Sequence, residues 1–230
     1  RKPSNQLGNK MFIINCKNYD EIAGDKIIKI AKISEKISKK YKVPIAIAPP
    51  HHLIPLITKF KITVLAQHVD DKKVGSTTGF MVPEIVKKSK INGSIINHSE
   101  HRISEKEIIS LVKRLKKLKL KTVLCVKNVN EAKKYAKLNP TFIAIEPPEL
   151  IGTGRAISTE KPALISNAVK AVSSAKNSTK LLCGAGIVSG QDVSKAKELG
   201  SRGILVASGI VKAKNWEKII SEFCKGLKSQ

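Results

Sequence analysis

Aromatic residues are scarce in this chain of 230 residues, since phenylalanine, tryptophan and tyrosine together make up 4% of it. Isoleucine, valine, leucine and alanine must therefore fill the interior, and 41% of all residues are hydrophobic. That amount suffices for one sizeable core, and aliphatic runs suit the buried strands of a parallel sheet. The few aromatics are scattered, so the sequence lacks the interleaved aromatic and basic residues that favour single-stranded nucleic acid.

Cysteine patterns typical of zinc sites are also missing. Cys16, Cys125, Cys183 and Cys224 form no C-x-x-C pair and no cluster with histidine at zinc-binding spacing. We therefore expect four small buried side chains, no metal site and a reducing, cytoplasmic compartment.

Long apolar runs are absent as well, and none approaches the roughly 20 residues of a membrane span. The first ten residues are polar and contain no apolar signal-peptide region. We predict that residues 1–10 form a polar extension, that residues 11–230 form one catalytic domain, and that the protein has no membrane partner.

Acidic residues are few, because 18 aspartates and glutamates oppose 43 lysines and arginines, for a net charge of +25. Such an imbalance occurs in proteins that bind nucleic acid and in proteins that attract anionic substrates. Here the basic residues are spread over many predicted helices, which favours ordinary solvated surfaces. A basic scaffold that binds nucleic acid stays an alternative, with charge as its only support.

Short aliphatic runs alternate with amphipathic segments, and residues 27–37, 108–120 and 215–227 have helical spacing. This alternation predicts parallel strands joined by right-handed crossovers. Eight units without a linker favour an α/β fold, a single-domain (β/α)8 TIM barrel, over an open doubly wound sheet. The predicted strands are Phe12–Ile14, Pro44–Ala48, Thr63–Ala66, Gly93–Ile96, Thr122–Val126, Thr141–Ile145, Lys180–Cys183 and Gly203–Val206.

Polar side chains follow three of these strands. Asn15 and Lys17 come after the first strand, His98 after the fourth and Glu146 after the sixth. The carboxyl ends of barrel strands converge on one face, where an imidazole and a carboxylate can polarise a carbonyl and move a proton. A helix predicted to start near Ser104 disfavours a positive charge on His98, so we expect a neutral imidazole.

The segment after Glu146 predicts a mobile lid. Pro147 and Pro148 stiffen one end of it, and Gly152 and Gly154 permit unusual backbone angles at the other. Small residues also end the seventh and eighth strands, and this pattern predicts backbone groups that hold a phosphate. The remaining histidines, His51, His52, His68 and His101, lack an equally convergent set of partners; for His68 we expect packing or a hydrogen bond.

From Met11 onward these motifs resemble the triosephosphate isomerase family in its shorter archaeal form. The H-S-E-x-R and E-P-P-E-L-I-G-T-G blocks are specific, whereas the glycine pairs are not. The matching blocks are Asn15-x-Lys17, Gly75-Ser76-Thr77-Thr78-Gly79, Asn97-His98-Ser99-Glu100-x-Arg102, residues 144–154, Cys183-Gly184-Ala185-Gly186-Ile187 and Ala207-Ser208-Gly209.

The resemblance implies interconversion of dihydroxyacetone phosphate and glyceraldehyde 3-phosphate without a metal or organic cofactor. It implies that Glu146 moves a carbon-bound proton, that His98 polarises the carbonyl, and that Lys17 stabilises the enediolate and the phosphate. Asn15 then helps to hold the substrate oxygens, and Glu100 orients Lys17. The residues implied to bind the phosphate are Ile151, Gly152, Gly186, Ala207 and Ser208.

Two departures from the family pattern concern packing. Cys16 replaces the aromatic residue usual between Asn15 and Lys17, and Phe80 follows a loop that normally docks into a neighbouring subunit. We expect a homo-oligomer, either a dimer or a tetramer, with an apolar contact at Phe80. Another phosphate-binding barrel enzyme, such as a different sugar-phosphate isomerase or a synthase, remains the second enzymatic interpretation.

Overall fold

The computed structural model describes residues 10–228, and within that range it contains eight strands, ten α-helices and three short 3₁₀ helices. The strands are β1 (Met11–Asn15), β2 (Ile45–Ala48), β3 (Thr63–Ala66), β4 (Gly93–Ile96), β5 (Lys121–Val126), β6 (Phe142–Ile145), β7 (Lys180–Gly184) and β8 (Gly203–Val206). The helices are α1 (Lys26–Tyr41), α2 (Ile54–Ile57), α3 (Pro83–Lys88), α4 (Glu105–Lys117), α5 (Val129–Ala136), α6 (Ile157–Glu160), α7 (Pro162–Ser173), α8 (Gly190–Glu198), α9 (Ser208–Val211) and α10 (Trp216–Lys228).

The strands close into one parallel barrel in chain order, from β1 to β8. Closure pairs the first strand with the last, because Met11 of β1 is in register with Gly203 of β8. The predicted single-domain TIM barrel is thus confirmed, and the open doubly wound sheet is excluded. Each predicted strand agrees with the observed one to within one residue at either end.

Alternation along each strand creates two cores. Ile13 belongs to the cluster inside the barrel, whereas its neighbours Phe12 and Ile14 face the surrounding helices. The ring of Phe12 stacks on Phe223 of α10, with centroids 5.7 Å apart, and both rings are fully buried. Burial of each such side chain stabilises the fold by about 1.5–3 kcal/mol relative to its exposure.

The helix predicted over residues 108–120 begins earlier, at Glu105, and ends at Lys117. A capping box explains the earlier start, because the Ser104 hydroxyl accepts from the Glu107 N–H while the Glu107 carboxylate accepts from the Ser104 N–H. Apolar spacing marks only the buried face of a helix, and the first polar turn carries no such signal.

The four cysteines are buried and unpaired, as the sequence predicts. Of the predicted extension, residues 1–10, only Lys10 belongs to the described residues. No helix within residues 10–228 combines the length and apolar character needed to cross a membrane.

Candidate active site

A cavity of about 350 Å³ opens at the carboxyl ends of the strands. It brings together nine of the ten residues predicted to form the site; Glu100 is the exception and lies beside a neighbouring cavity. The nine are Asn15, Lys17, His98, Glu146, Ile151, Gly152, Gly186, Ala207 and Ser208. They lie at the carboxyl end of β1 or directly after β1, β4, β6, β7 and β8, so one closed sheet brings them to one space.

The backbone of Lys17 adopts a left-handed conformation, with φ 46°, which is uncommon for a residue with a side chain. Neighbouring polar groups hold it there. The Asn15 Oδ1 accepts from the Lys17 N–H at 3.1 Å, and the Gln67 Nε2 donates to the carbonyls of Lys17 and Ala48 at 2.8 and 3.1 Å. The sequence did not predict a role for Gln67, although this residue directly follows β3 and therefore lies at the same end of the barrel as Asn15 and Lys17.

Glu100 contacts the ammonium of Lys17. The Lys17 Nζ lies 2.7 Å from the Glu100 Oε1, and the lysine side chain is 15% exposed while that of Glu100 is 56% exposed. Glu100 therefore lies outside the cavity lining but contacts the Lys17 ammonium at its edge.

The loop that carries His98 is fixed by its neighbours. Asn97 has φ 58°, its Nδ2 donates to the Cys125 carbonyl at 3.0 Å, and the Arg102 Nη1 donates to the Asn97 carbonyl at 3.1 Å. The His98 Nδ1 accepts from the Glu100 N–H at 3.2 Å. An Nδ1 that accepts leaves the proton of a neutral imidazole on Nε2, and Nε2 faces the cavity.

Glu146 is 6% exposed, and its N–H donates to the Val126 carbonyl at 2.9 Å. The His98 Nε2 lies 3.2 Å from the Glu146 Oε2, yet without the alignment of a hydrogen bond. This buried oxygen has no hydrogen-bond partner among residues 10–228. Burial, followed by the proximity of Glu146, raises the pKa of the Cys125 thiol well above its usual range, so that neighbour stays uncharged.

The segment beyond Glu146 has a stiff start and a permissive end. A 3₁₀ turn spans Pro148–Leu150, and Gly152 and Gly154 then adopt φ 72° and 73°. The Thr153 hydroxyl donates to the Leu150 carbonyl at 2.8 Å. The added Cβ of an alanine at either glycine would meet no atom within 4 Å, so this segment lies over open space beside the cavity.

Ion pairs fasten both sides of this segment. The Glu149 carboxylate pairs with the Lys161 ammonium, and the Arg155 Nη2 lies 2.6 Å from the Glu160 Oε2. Its far end presses on the loop after β7, since a Cβ at Gly186 would lie 1.9 Å from the Arg155 carbonyl oxygen. Only glycine permits this approach, and Gly186 also has φ 69°.

One part of the cavity lining consists mostly of small residues that expose backbone. Gly186 contributes from the loop after β7, and Ala207, Ser208 and Gly209 contribute from the start of α9. The first N–H groups of a helix have no partner within it and carry a partial positive charge. This wall therefore suits an anion, and Glu146 and His98 line the same cavity.

His68 packs and forms a hydrogen bond, as expected from the sequence, and its packing partner is a second histidine. The rings of His68 and His101 stack with centroids 3.7 Å apart, and the His68 Nε2 lies 3.1 Å from the Asp70 Oδ1. Both rings line the second cavity with His51 and His52, and burial is the first cause that lowers the pKa of His51 and His68. The loops after β3 and β4 meet only in the folded barrel, so linear spacing carried no signal of this stack.

Within the part of the chain that the structure describes, no group of three or more histidine, cysteine, aspartate or glutamate side chains has the arrangement of a metal site.

Comparison with known proteins gives the same family as these motifs. The model of the family described as triosephosphate isomerase matches residues 10–223. A protein named triosephosphate isomerase from Cenarchaeum symbiosum is 52% identical over 217 residues, which cover 94% of this chain and 97% of that protein.

More distant relatives carry the same name. One from Methanocaldococcus jannaschii is 42% identical over 216 residues, covering 94% of this chain and 99% of that protein. Another, from Methanothermus fervidus, is 40% identical over 213 residues, covering 92% and 96%. The matches span the barrel and every loop that lines the cavity, and the chain therefore belongs to the triosephosphate isomerase family.

Proposed function

We propose that this chain interconverts dihydroxyacetone phosphate and D-glyceraldehyde 3-phosphate, as the name of its family describes. One observation carries the proposal beyond family membership. The buried Glu146 Oε2 has no hydrogen-bond partner within residues 10–228, and it faces the His98 Nε2 in a cavity with a wall that suits an anion. A carboxylate held in this way is free to accept a proton from a bound molecule.

Proton transfer through Glu146 accounts for the reaction. The carboxylate removes the proton from the carbon next to the carbonyl, and the bonding electrons pass to the carbonyl oxygen to give an enediolate. The same carboxyl group then returns a proton to the neighbouring carbon. One proton leaves a carbon and one returns to the neighbouring carbon, and the hydroxyl proton on the first carbon moves to the former carbonyl oxygen, so the isomerisation is balanced without a redox cofactor.

His98 and Lys17 stabilise the charge that develops during this transfer. The neutral imidazole donates its Nε2 proton to the substrate oxygen, because its Nδ1 already accepts from the Glu100 N–H. The Lys17 ammonium attracts the enediolate and the phosphate, with Glu100 as its orienting partner. Asn15 holds the substrate oxygens from the base of the same loop.

The phosphate binds at the backbone wall formed by Gly186, Ala207 and Ser208, and Ile151 and Gly152 complete its enclosure from the lid. Closure of the lid excludes water and keeps the enediolate from losing its phosphate group. The two glycines with positive φ permit this movement, because such angles are accessible to glycine at low cost.

Replacement of Glu146 tests the assigned base. Glu146→Gln keeps the size of the side chain and removes the proton acceptor, so we expect kcat to fall about 100- to 10,000-fold. A coupled assay with glyceraldehyde 3-phosphate measures the loss. Glu198→Gln is the matched control, since Glu198 is exposed at the end of α8 and lines neither cavity. Comparable turnover in Glu146→Gln and the wild type would refute the assignment.

Inhibition distinguishes this reaction from that of another phosphate-binding barrel enzyme. Phosphoglycolate carries a carboxylate and a phosphate at the spacing of the enediolate, and we expect it to compete with the substrate. Activity on a different sugar phosphate, without competition by phosphoglycolate, would favour the second enzymatic interpretation.

Self-association is the remaining part of the proposal, as a homo-oligomer that is either a dimer or a tetramer. Val74, Phe80 and Ile85 are 59%, 46% and 48% exposed, and all three lie in or next to the loop between β3 and α3. Exposed apolar side chains grouped in this way are typical of subunit contacts. The four unpaired cysteines support a reducing, cytoplasmic compartment.

A further inference from the structure

Helix α9, which presents backbone groups to the cavity, is too short to be stable by itself. Helix α9 has four residues, and an isolated helix of that length is unstable in water. Its apolar residues Ile210 and Val211 are buried, which anchors one side. The position of its polar start must therefore depend on contacts made at its other end.

Two such contacts follow Val211. The Trp216 Nε1 donates to the Val211 carbonyl at 3.0 Å, and the Lys212 N–H donates to the Ser208 carbonyl at 3.1 Å. The Lys212 side chain then crosses to the loop after β1, where its Nζ lies 4.7 Å from the centre of the Tyr19 ring. A cation at that distance is attracted to the face of the ring.

Tyr19 links this contact to the reacting end of the cavity. It follows Lys17 by two residues, its N–H donates to the Cys16 carbonyl, and its half-buried side chain lines the cavity itself. Strands β1 and β8 are neighbours in the closed barrel. The contact between Tyr19 and Lys212 therefore links the loop that carries Lys17 to helix α9, whose first residues line the cavity.

The charge of Lys212 is also unneutralised. Lys17 is paired with Glu100, whereas Lys212 forms no ion pair with a carboxylate within residues 10–228. Lys212 is exposed, and its ammonium is connected to the cavity through the Tyr19 ring, which lines that cavity. An unpaired cation near a dianion site strengthens binding and is sensitive to salt.

We infer that Lys212, held in place by the ring of Tyr19, determines affinity for the phosphate group of the substrate. The inference rests on the proposed function. Lys212 acts as a positioning residue, because it fixes α9 and supplies charge without touching the reacting carbons. Its contribution must then appear in KM and in phosphate affinity, with kcat nearly unchanged.

Substitutions at both positions test this. We expect Lys212→Met to raise KM, and the inhibition constant for inorganic phosphate, about two- to fivefold, as the loss of a cation–π contact of this kind predicts. Lys212→Arg keeps a cation beside the ring and should retain wild-type KM. Tyr19→Leu should raise KM, and adding it to Lys212→Met should cause little further change. The increase should shrink in 0.5 M salt, because exposed charges are screened.

Lys40→Met is the matched control. The Lys40 Nζ lies 5.4 Å from the Tyr41 ring at the carboxyl end of α1, which is the end of the barrel opposite the cavity. Equal KM shifts in Lys40→Met and Lys212→Met would overturn the inference, since they would reflect net charge alone. A change confined to kcat, or failure of Lys212→Arg to restore KM, would also overturn it. If the wild-type chain lacks isomerase activity, the proposed function fails instead.

Discussion

The position of the Glu146 side chain depends on a neighbouring glycine, Gly184. Gly184 ends β7 beside it, and a Cβ at Gly184 would lie 2.3 Å from the Glu146 Cγ. Contacts that short do not occur, so any larger residue must displace the carboxylate. Strand β7 thus determines where the carboxylate carried by the loop after β6 points.

Gly184→Ala should accordingly damage activity more than stability. The displaced group is a flexible side chain, so we expect kcat to fall about 100-fold, as a misplacement of about 1 Å can produce. The free energy of unfolding should fall by about 1–3 kcal/mol. Activity assays and denaturant titrations of the same samples measure both quantities.

Gly93→Ala is the contrasting variant. At Gly93 the added Cβ would lie 2.1 Å from the Lys121 carbonyl, which is backbone and cannot rotate away. Stability should fall more than in Gly184→Ala, while kcat per folded molecule is preserved. The reverse order of the two variants would contradict the assigned role of the β7 glycine.

Residue types predicted much of this site, but contacts between loops could not be predicted. Glu146, His98 and Lys17 each follow a strand directly, and strand order alone sends them to one face. The stack of His68 on His101, the Gln67 bonds to Lys17 and the Lys212 contact with Tyr19 depend on side-chain directions in three dimensions. No periodicity in the sequence encodes those directions.

At the scale of elements, the capping box determines where helix α4 begins. Ser104 and Glu107 satisfy each other's backbone N–H groups, and the loop of His98 runs directly into this cap. The sequence predicted a helix start near Ser104, which is confirmed, whereas the apolar pattern by itself starts only at Ile108. Polar capping chemistry and apolar periodicity thus mark different points of one helix.

Ser104→Ala should lower the free energy of unfolding by about 1 kcal/mol, because the Glu107 N–H loses its acceptor. Ser174→Ala is the control, since the Ser174 hydroxyl donates to a carbonyl at the exposed carboxyl end of α7. The control should change stability by less than about 0.5 kcal/mol. Equal losses in urea titrations of the two variants would contradict the importance of the capping box.

At the scale of the whole molecule, buried histidines link stability to pH. Burial, with the neighbouring histidines, lowers the pKa of His51 and His68 from the usual 6.5. Asp70 and Glu107 oppose this shift at His68, and Asp70 opposes it at His51. The unfolded chain therefore binds more protons than the native chain just below that pH, and stability falls as pH falls.

We expect the free energy of unfolding to decrease as pH is lowered from about 7 towards 5, within the window set by the ordinary histidine pKa. Urea titrations at several pH values measure this slope. The double variant His51→Gln/His68→Gln should show a flatter profile, because both titrating groups are removed. An unchanged slope in that variant would assign the pH dependence to other groups.

Closure of β8 onto β1 has a consequence for synthesis. The first strand lacks one hydrogen-bonded neighbour until the eighth has left the ribosome, since Met11 pairs with Gly203 across nearly the full length of the chain. During that interval a nascent chain presents an aliphatic edge, open to pairing with other polypeptides. Pairing of β8 with β1 removes that hazard, and α9, which follows β8 directly, then completes the lining of the cavity.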